Sequence, residues 1–201
     1  MAYARPLIDA KDVQAILQKD SLDTDDKKLI EDHLIPGVSK AIETYCSRNI
    51  LDDAALTEYY SGDGDDTLQL KQWPINSVTS VHYRSGSGWD ESSDWATALT
   101  EDTDFYIESE KGQLKATVSA WSEAKKYYKV VYRAGWVEKS MPEDIKTAAK
   151  IWVAILFQKA KSKLHGVQVH IIGDESFSYD LGPDGVPKEV KGLIDSYRRV
   201  Y

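Results

Sequence analysis

The residue types best suited to catalysis or metal binding are few here, and their spacing builds no constellation. The four histidines, His33, His82, His165 and His170, lie on separate stretches, and no pair has the spacing of ligands on one helix. His165 and His170 stand five residues apart in an extended stretch and read as a solvated pair. Cys46 is the only cysteine, so neither an internal disulfide nor a cysteine zinc site is possible, and it falls on an apolar stripe with no basic cluster beside it. That pattern is one of a small core residue and not of a reactive thiol. Asp63, Asp65 and Asp66 resemble the opening of a calcium loop, but the glycine and terminal glutamate of such a loop are missing, and GDGDD reads as a hairpin turn. No phosphate-binding glycine loop, nucleophile elbow or HExxH is present. The carboxylate pairs are too numerous and too loop-borne to single out an acid and a base. Two groups could still bind something. Trp73, Trp95, Trp121 and Trp136 could form a platform for a sugar or other ligand, or fill a small β core. Lys188, Lys191, Arg198 and Arg199 could form a docking surface for an acidic partner, or a solvated helix face.

The elements that carry these residues change type twice along the chain. In residues 1–55 the apolar period is helical. Asp9 is placed to cap a short helix with Val13, Ile16 and Leu17. A second helix, roughly 25–48, carries Leu29, Ile30, Leu34, Val38, Ile42 and Tyr45, and is kinked at Pro36-Gly37. In residues 56–139 the period becomes 2. LTEYY, TLQLKQW, SVTSVHYR, TDFYI, GQLKA and YYKVVYRAGW predict five or six strands in an antiparallel sheet, with Val78 out of phase at a bulge or strand start. Residues 86–103 lack periodicity and read as a long loop. Ser140-Met141-Pro142-Glu143 then matches a capping box before a helix over 141–163, whose apolar face is Ile145, Ala148, Ala149, Trp152, Ile155 and Leu156. Residues 166–182 are extended, a hairpin or projecting arm around Gly173-Asp174, and Pro187 opens a short last helix with Val190, Leu193, Ile194 and Tyr197. The fold class expected is α+β. The N-terminal helices, the 141–163 helix and the C-terminal helix make a small bundle (1–55 and 140–201), and an antiparallel β domain is inserted at 56–139.

Composition narrows the function classes. Over 201 residues the formal charge is -8, with 42% hydrophobic and 29% charged residues, the balance of a soluble globular protein. The acidity is uneven: residues 1–55 carry 7 basic and 11 acidic groups, residues 56–139 carry 9 and 14, and residues 140–201 carry 9 and 8. The middle part also holds 13 of the 21 aromatic residues. A protein that grips nucleic acid over its whole surface needs clustered Lys and Arg, and is excluded; one that DNA merely passes is not. No stretch approaches the ~18 consecutive apolar residues of a membrane span, and the N-terminus lacks the pattern of a secretory signal.

The order of the pieces is more telling than any one of them. ARPLIDAKDVQAIL, LIEDHLIPGVSKAIETYCSRNI and TEYYSGDGDDTLQLKQWPINSVTSVHYR are followed by DFYIESEKGQLKA, YYKVVYRAGW, MPEDIKTAAKIWVAILFQKAK and GDESFSYDLGPDGVPKEVKGLIDSYRR. The series, spanning nearly the whole chain, resembles the head–tail connector (adaptor, or head-completion) family of long-tailed double-stranded DNA bacteriophages and prophages. Members of that family range from nearly all-helical to forms with a β insertion. The resemblance implies a structural virion protein at the head–tail junction, made in the host bacterial cytoplasm, with no catalytic residue, cofactor or metal. It implies a ring of roughly a dozen subunits that meets the portal protein on one side and a stopper or tail-completion protein on the other, with DNA passing through unbound and no membrane involved. Carried onto this chain, the docking segment for the portal is Pro187–Tyr201, with Tyr197, Arg198, Arg199 and Tyr201 as anchors. The arm at 166–182, with Val167, Val169, Ile171, Asp174, Glu175, Phe177 and Tyr179, would contact a neighbouring subunit or line the channel. The competing reading is a ligand- or carbohydrate-binding β module that uses exposed tryptophans.

Overall fold

A computed structural model describes residues 5–52, 54–84, 95–96, 98–162, 169–172, 175–178 and 185–199. The chain is α+β and divides into two compact units, Met1–Arg48 with Ser140–Tyr201, and Asn49–Lys139.

The helical unit begins with α1 (Ala10–Ile16). Asp9 accepts from the Asp12 backbone N–H, and the Asp12 carboxylate accepts from the Asp9 N–H in return, so two orphan donors of the first turn are satisfied. Only Val13 and Ala10 of this helix are buried; Ile16, expected on the apolar face, is exposed. The second stretch is helical without a break but is not uniformly α. It runs as α2 (Thr24–Lys28), a π-helical segment Leu29–Leu34 and α3 (Ile35–Cys46). The Ile35 N–H donates to Ile30 O, five residues back. This wide turn lies just ahead of Pro36, whose ring would collide with the carbonyl of the preceding α turn and which has no N–H to give. The extra residue also shifts the phase. Ile30 and Ile35 are buried together, and Leu29 and Leu34, expected on that stripe, are only half-buried. Val38, Ile42 and Cys46 then continue the buried line.

The long helix α4 (Glu143–Lys161) packs against α1, α3, the π segment and a last helix α5 (Lys188–Ile194). The capping box does not form. Ser140 is wound into a 3₁₀ turn over Glu138–Ser140, buried Met141 anchors the chain, and extended Pro142 is the N-cap without a side-chain bond. A serine must have extended backbone to cap, and the 3₁₀ turn withholds it. The buried face of α4 is Ile145, Ala148, Ala149, Trp152, Val153 and Phe157, so Val153 and Phe157 take the place expected for the half-buried Ile155 and Leu156. Val190 and Ile194 of α5 are fully buried. Two late strands, β7 (Val169–Ile172) and β8 (Glu175–Ser178), pair antiparallel with each other.

The β unit contains β1 (Leu56–Gly62), β2 (Thr67–Gln69), β3 (Ile75–Tyr83), β4 (Phe105–Glu108), β5 (Gln113–Ala116) and β6 (Ala124–Ala134). They form two antiparallel three-stranded sheets, β1-β6-β3 and β2-β5-β4. Val78 lies between two register shifts in β3, which is why it stands out of phase. The core between the sheets is Leu68, Leu70, Val81, Phe105, Leu114, Trp121, Tyr128, Val130 and Tyr132. Trp121 joins the sheets: its ring meets Tyr128 of β6 edge-on at 4.9 Å, while its Nε1 donates to Leu114 O of β5 at 3.2 Å and Asp66 O at 3.0 Å.

Candidate functional site

Among the described residues no group of three or more His, Cys, Asp or Glu side chains could hold a metal ion. His33 is exposed, and His82 Nδ1 sits 2.8 Å from Ala96 O. Cys46 is fully buried, and burial pushes its thiol up to about 11, far from a working thiolate. GDGDD forms the turn between β1 and β2: the Asp65 N–H bonds Asp63 Oδ1 and Gly64 has φ +90°. Among the described residues no tryptophan is exposed. Trp121 is core, and Trp73, Trp95 and Trp136 are half-buried. No helix among the described residues is long and apolar enough to cross a membrane.

The C-terminal segment is not a free tail. After α5, a 3₁₀ turn (Asp195–Tyr197) brings the chain back onto the end of α3, where the Arg199 N–H donates to Cys46 O at 2.9 Å. Tyr197 Oη lies 3.4 Å from Asp144 Oδ2 at the start of α4. Tyr45 is the centre of this seam. Its hydroxyl bonds Asp195, and Lys191 Nζ and Arg198 Cζ lie 5.6 and 5.4 Å from its ring centroid. Burial, then the Asp195 carboxylate, raises the Tyr45 hydroxyl above its ordinary range. Of the expected anchors, Tyr197, Arg198 and Arg199 thus converge on the helical unit, with Tyr45 and Lys191 as additional members; Tyr201 lies outside the described residues. Tyr45 is marked in the sequence as an aromatic residue at the end of the apolar stripe, but its hydroxyl's partner Asp195 lies 150 positions away.

The C-terminal end of α4 is pinned. Asp26 is buried, and its carboxylate takes Lys161 Nζ at 2.6 Å and Lys19 Nζ at 3.3 Å. The Lys161 ammonium, with Lys19 behind it, holds the Asp26 carboxyl below the usual carboxylate range in spite of burial. Lys161 is the last residue of α4, so a cation at the negative end of the helix dipole also carries the tie. Beyond it, β7 and β8 pair antiparallel, Val169 opposite Ser178, Ile171 opposite Ser176 and Ile172 opposite Glu175. Val169, Ile171, Glu175 and Phe177 are therefore hairpin positions. Val167, Asp174 and Tyr179 lie outside the described residues.

In the β unit, Glu58 is turned inward from β1. The Tyr132 hydroxyl donates to Glu58 Oε2 at 2.6 Å, the Tyr60 hydroxyl bonds the same carboxylate, and Lys71 Nζ is 3.8 Å from Glu58 Oε1. The Lys71 and Gln72 backbone N–H groups donate to the two phenol oxygens. Burial raises both phenols far above the ordinary tyrosine range. Both phenols and the carboxylate are bonded to other members of this network, which ties β1 and β6 to the chain after β2.

No curated protein sequence matches the chain. Among solved structures, a chain from the neck of an empty gene transfer agent (GTA) particle, computed with C6 symmetry, has a TM-score of 0.57 at 16% identity, with 100% of this chain and 94% of that chain covered. A chain from the virion of a native gene transfer agent particle has a TM-score of 0.58 at 16% identity, covering 98% and 91%. A third, from the neck of a native particle computed with C12 symmetry, has a TM-score of 0.51 at 15% identity, covering 95% and 91%. At these identities the likeness is one of fold. The model of the head completion protein family matches residues 6–200, and the chain belongs to that family.

Proposed function

We propose that the protein is a structural subunit of a virion neck, forming a ring at the head–tail junction between the portal and the stopper or tail-completion protein. The observation that carries this reading is the family match over residues 6–200. It is supported by the fold shared end to end with chains from particle necks, two of them computed with C6 and C12 symmetry. In this reading the helical elements of 1–55 and 140–201 are the connector core, and the β domain at 56–139 decorates it. Residues Tyr197, Arg198, Arg199 and Tyr201 face the portal, and the arm at 166–182 meets a neighbouring subunit or the channel. The charge of -8 per subunit suits a conduit. A ring of such copies repels duplex DNA, where clustered cations would release counterions and hold it.

The test is removal of the gene from a producing host, followed by electron microscopy of the particles. DNA-filled heads without tails, restored to full particles by the wild-type gene, are the expected outcome. Normal tailed particles in its absence overturn the reading, and so does tight, salt-sensitive binding of duplex DNA by the purified protein.

A further inference from the structure

A cleft of about 230 Å³ is lined from both sheets of the β unit. Tyr83, at the end of β3, and Tyr127 of β6 form one wall, their rings stacked at 6.0 Å. Leu99, whose N–H donates to Val81 O, and Val118, just past β5, add aliphatic surface, and buried Trp121 joins them. Val118 is 88% exposed and Tyr83 37%. Apolar residues scattered singly over a surface need no explanation, but two that line one cleft are the pattern of a contact site. Among the described residues that line it, Asp104 alone is charged. Asp104 is exposed, and its Oδ2 accepts from the Thr100 N–H at 2.7 Å. A carboxylate offers about four lone-pair positions, so this bond orients the group and leaves it able to accept more. The surrounding chain, residues 61–66, 98–104 and 115–126, holds seven carboxylates and three lysines, and Lys115 is already paired with Asp66 at 3.3 Å. The field at the cleft is therefore acidic. Arg84 Cζ lies 5.9 Å from the Tyr127 ring centroid, so this tyrosine already receives one guanidinium.

We propose that this cleft receives an arginine side chain presented by a neighbouring protein. The three methylenes of arginine suit Leu99 and Val118, its planar guanidinium stacks on tyrosine faces, and its fork of donors matches the Asp104 carboxylate. A lysine ammonium is a more strongly hydrated point charge and makes less of an aromatic wall. The volume has room for one long side chain and falls below the roughly 300–1,000 Å³ of small-molecule sites. Arginine is also among the residues on which protein interfaces most often depend. The inference goes beyond the neck reading and does not need a ring: it gives the β unit a docking point of its own, for a partner with an exposed arginine.

The experiment titrates the full chain, labelled with nitrogen-15, with N-acetylarginine amide and separately with N-acetylleucine amide, following the backbone amide shifts of residues 116–122. The arginine amide is expected to shift them saturably, and the leucine amide to bind about tenfold more weakly or not at all. Asp104→Asn keeps an acceptor for the Thr100 N–H and is expected to weaken the arginine amide about tenfold, the loss of one charge-assisted bond. Val118→Lys sets a like charge on a side chain that is 88% exposed, and is expected to weaken binding while keeping the wild-type melting temperature. No shift at 116–122, leucine amide bound as tightly as arginine amide, or an Asp104→Asn chain that binds like wild type overturns the inference. Shifts that follow protein concentration alone would give the cleft to a second copy, and free arginine bound far more tightly than its blocked amide would make it a metabolite site. Either result overturns the inference as well.

Discussion

Replacing Asp26 by Asn tests how the helical unit holds the end of α4. The carboxylate is 5% exposed as a side chain and takes two ammonium groups, Lys161 at 2.6 Å and Lys19 at 3.3 Å. Breaking a fully buried pair costs about 3–5 kcal/mol because the remaining charge is stranded. Here the lysines are 51% and 38% exposed, so they return to water when released, and most of that penalty disappears. What remains is the loss of charge-assisted bonds to a buried acceptor, and asparagine keeps part of it, so about 2 kcal/mol is expected. For a chain of this size that corresponds to a fall of about 4–8 °C in melting temperature. The assay is thermal unfolding by far-UV circular dichroism from pH 2.5 to 7. Because the folded carboxyl is held below its ordinary value, its contribution is fully present above the unfolded pKa near 3.9 and is lost as pH falls through the lower folded value. The gap between wild type and Asp26→Asn is thus constant from pH 7 to 5 and closes as the pH drops below about 3.9. An unchanged melting temperature at pH 7, or a gap that persists undiminished at pH 2.5, would refute the reasoning.

Three further outcomes follow from other sites. Cys46, buried with its thiol pushed up to about 11, is expected to ignore a thiol-disulfide reagent at pH 8 until the protein is unfolded; rapid labelling of the native chain contradicts its burial. Gly135→Ala meets two obstacles at once, a φ of +112° and a new Cβ within 2.7 Å of the Leu51 carbonyl carbon and the Asp52 nitrogen, so a loss of about 3 kcal/mol or more in urea unfolding of the β unit is expected. Tyr132→Phe removes the hydroxyl that Gln72 N–H and Glu58 share and costs about 1–3 kcal/mol by the same measurement; a neutral result would mean that water replaces it.

Local chemistry was legible in the sequence to different depths. The six strands of the β unit follow from period-2 runs separated by Gly-, Asp- and Ser-rich turns, because alternation and turn geometry are properties of neighbouring residues. The Asp9 cap was legible for the same reason. The capping box at Ser140 was not, since burial of Met141 and the 3₁₀ turn before it compete with the motif and win. The helix across Pro36 was legible as one helix but not as a π segment. Periodicity read at 3.6 residues per turn therefore picked Leu34 where the extra residue buries Ile35.

The sequence by itself determined the α+β class, the absence of a catalytic constellation and the resemblance to a phage connector family, all of which depend on residue type and order along the chain. Only the tertiary structure decided which partners those residues meet. It turned Arg198 and Lys191 onto Tyr45, set Asp26 between the nearby Lys19 and the distant Lys161 at the end of α4, and closed the outer edge of β3. The reason is physical. Period, capping and turn preferences are local energies, whereas a long-range ion pair or a closed sheet edge exists only after chain closure has brought distant segments together.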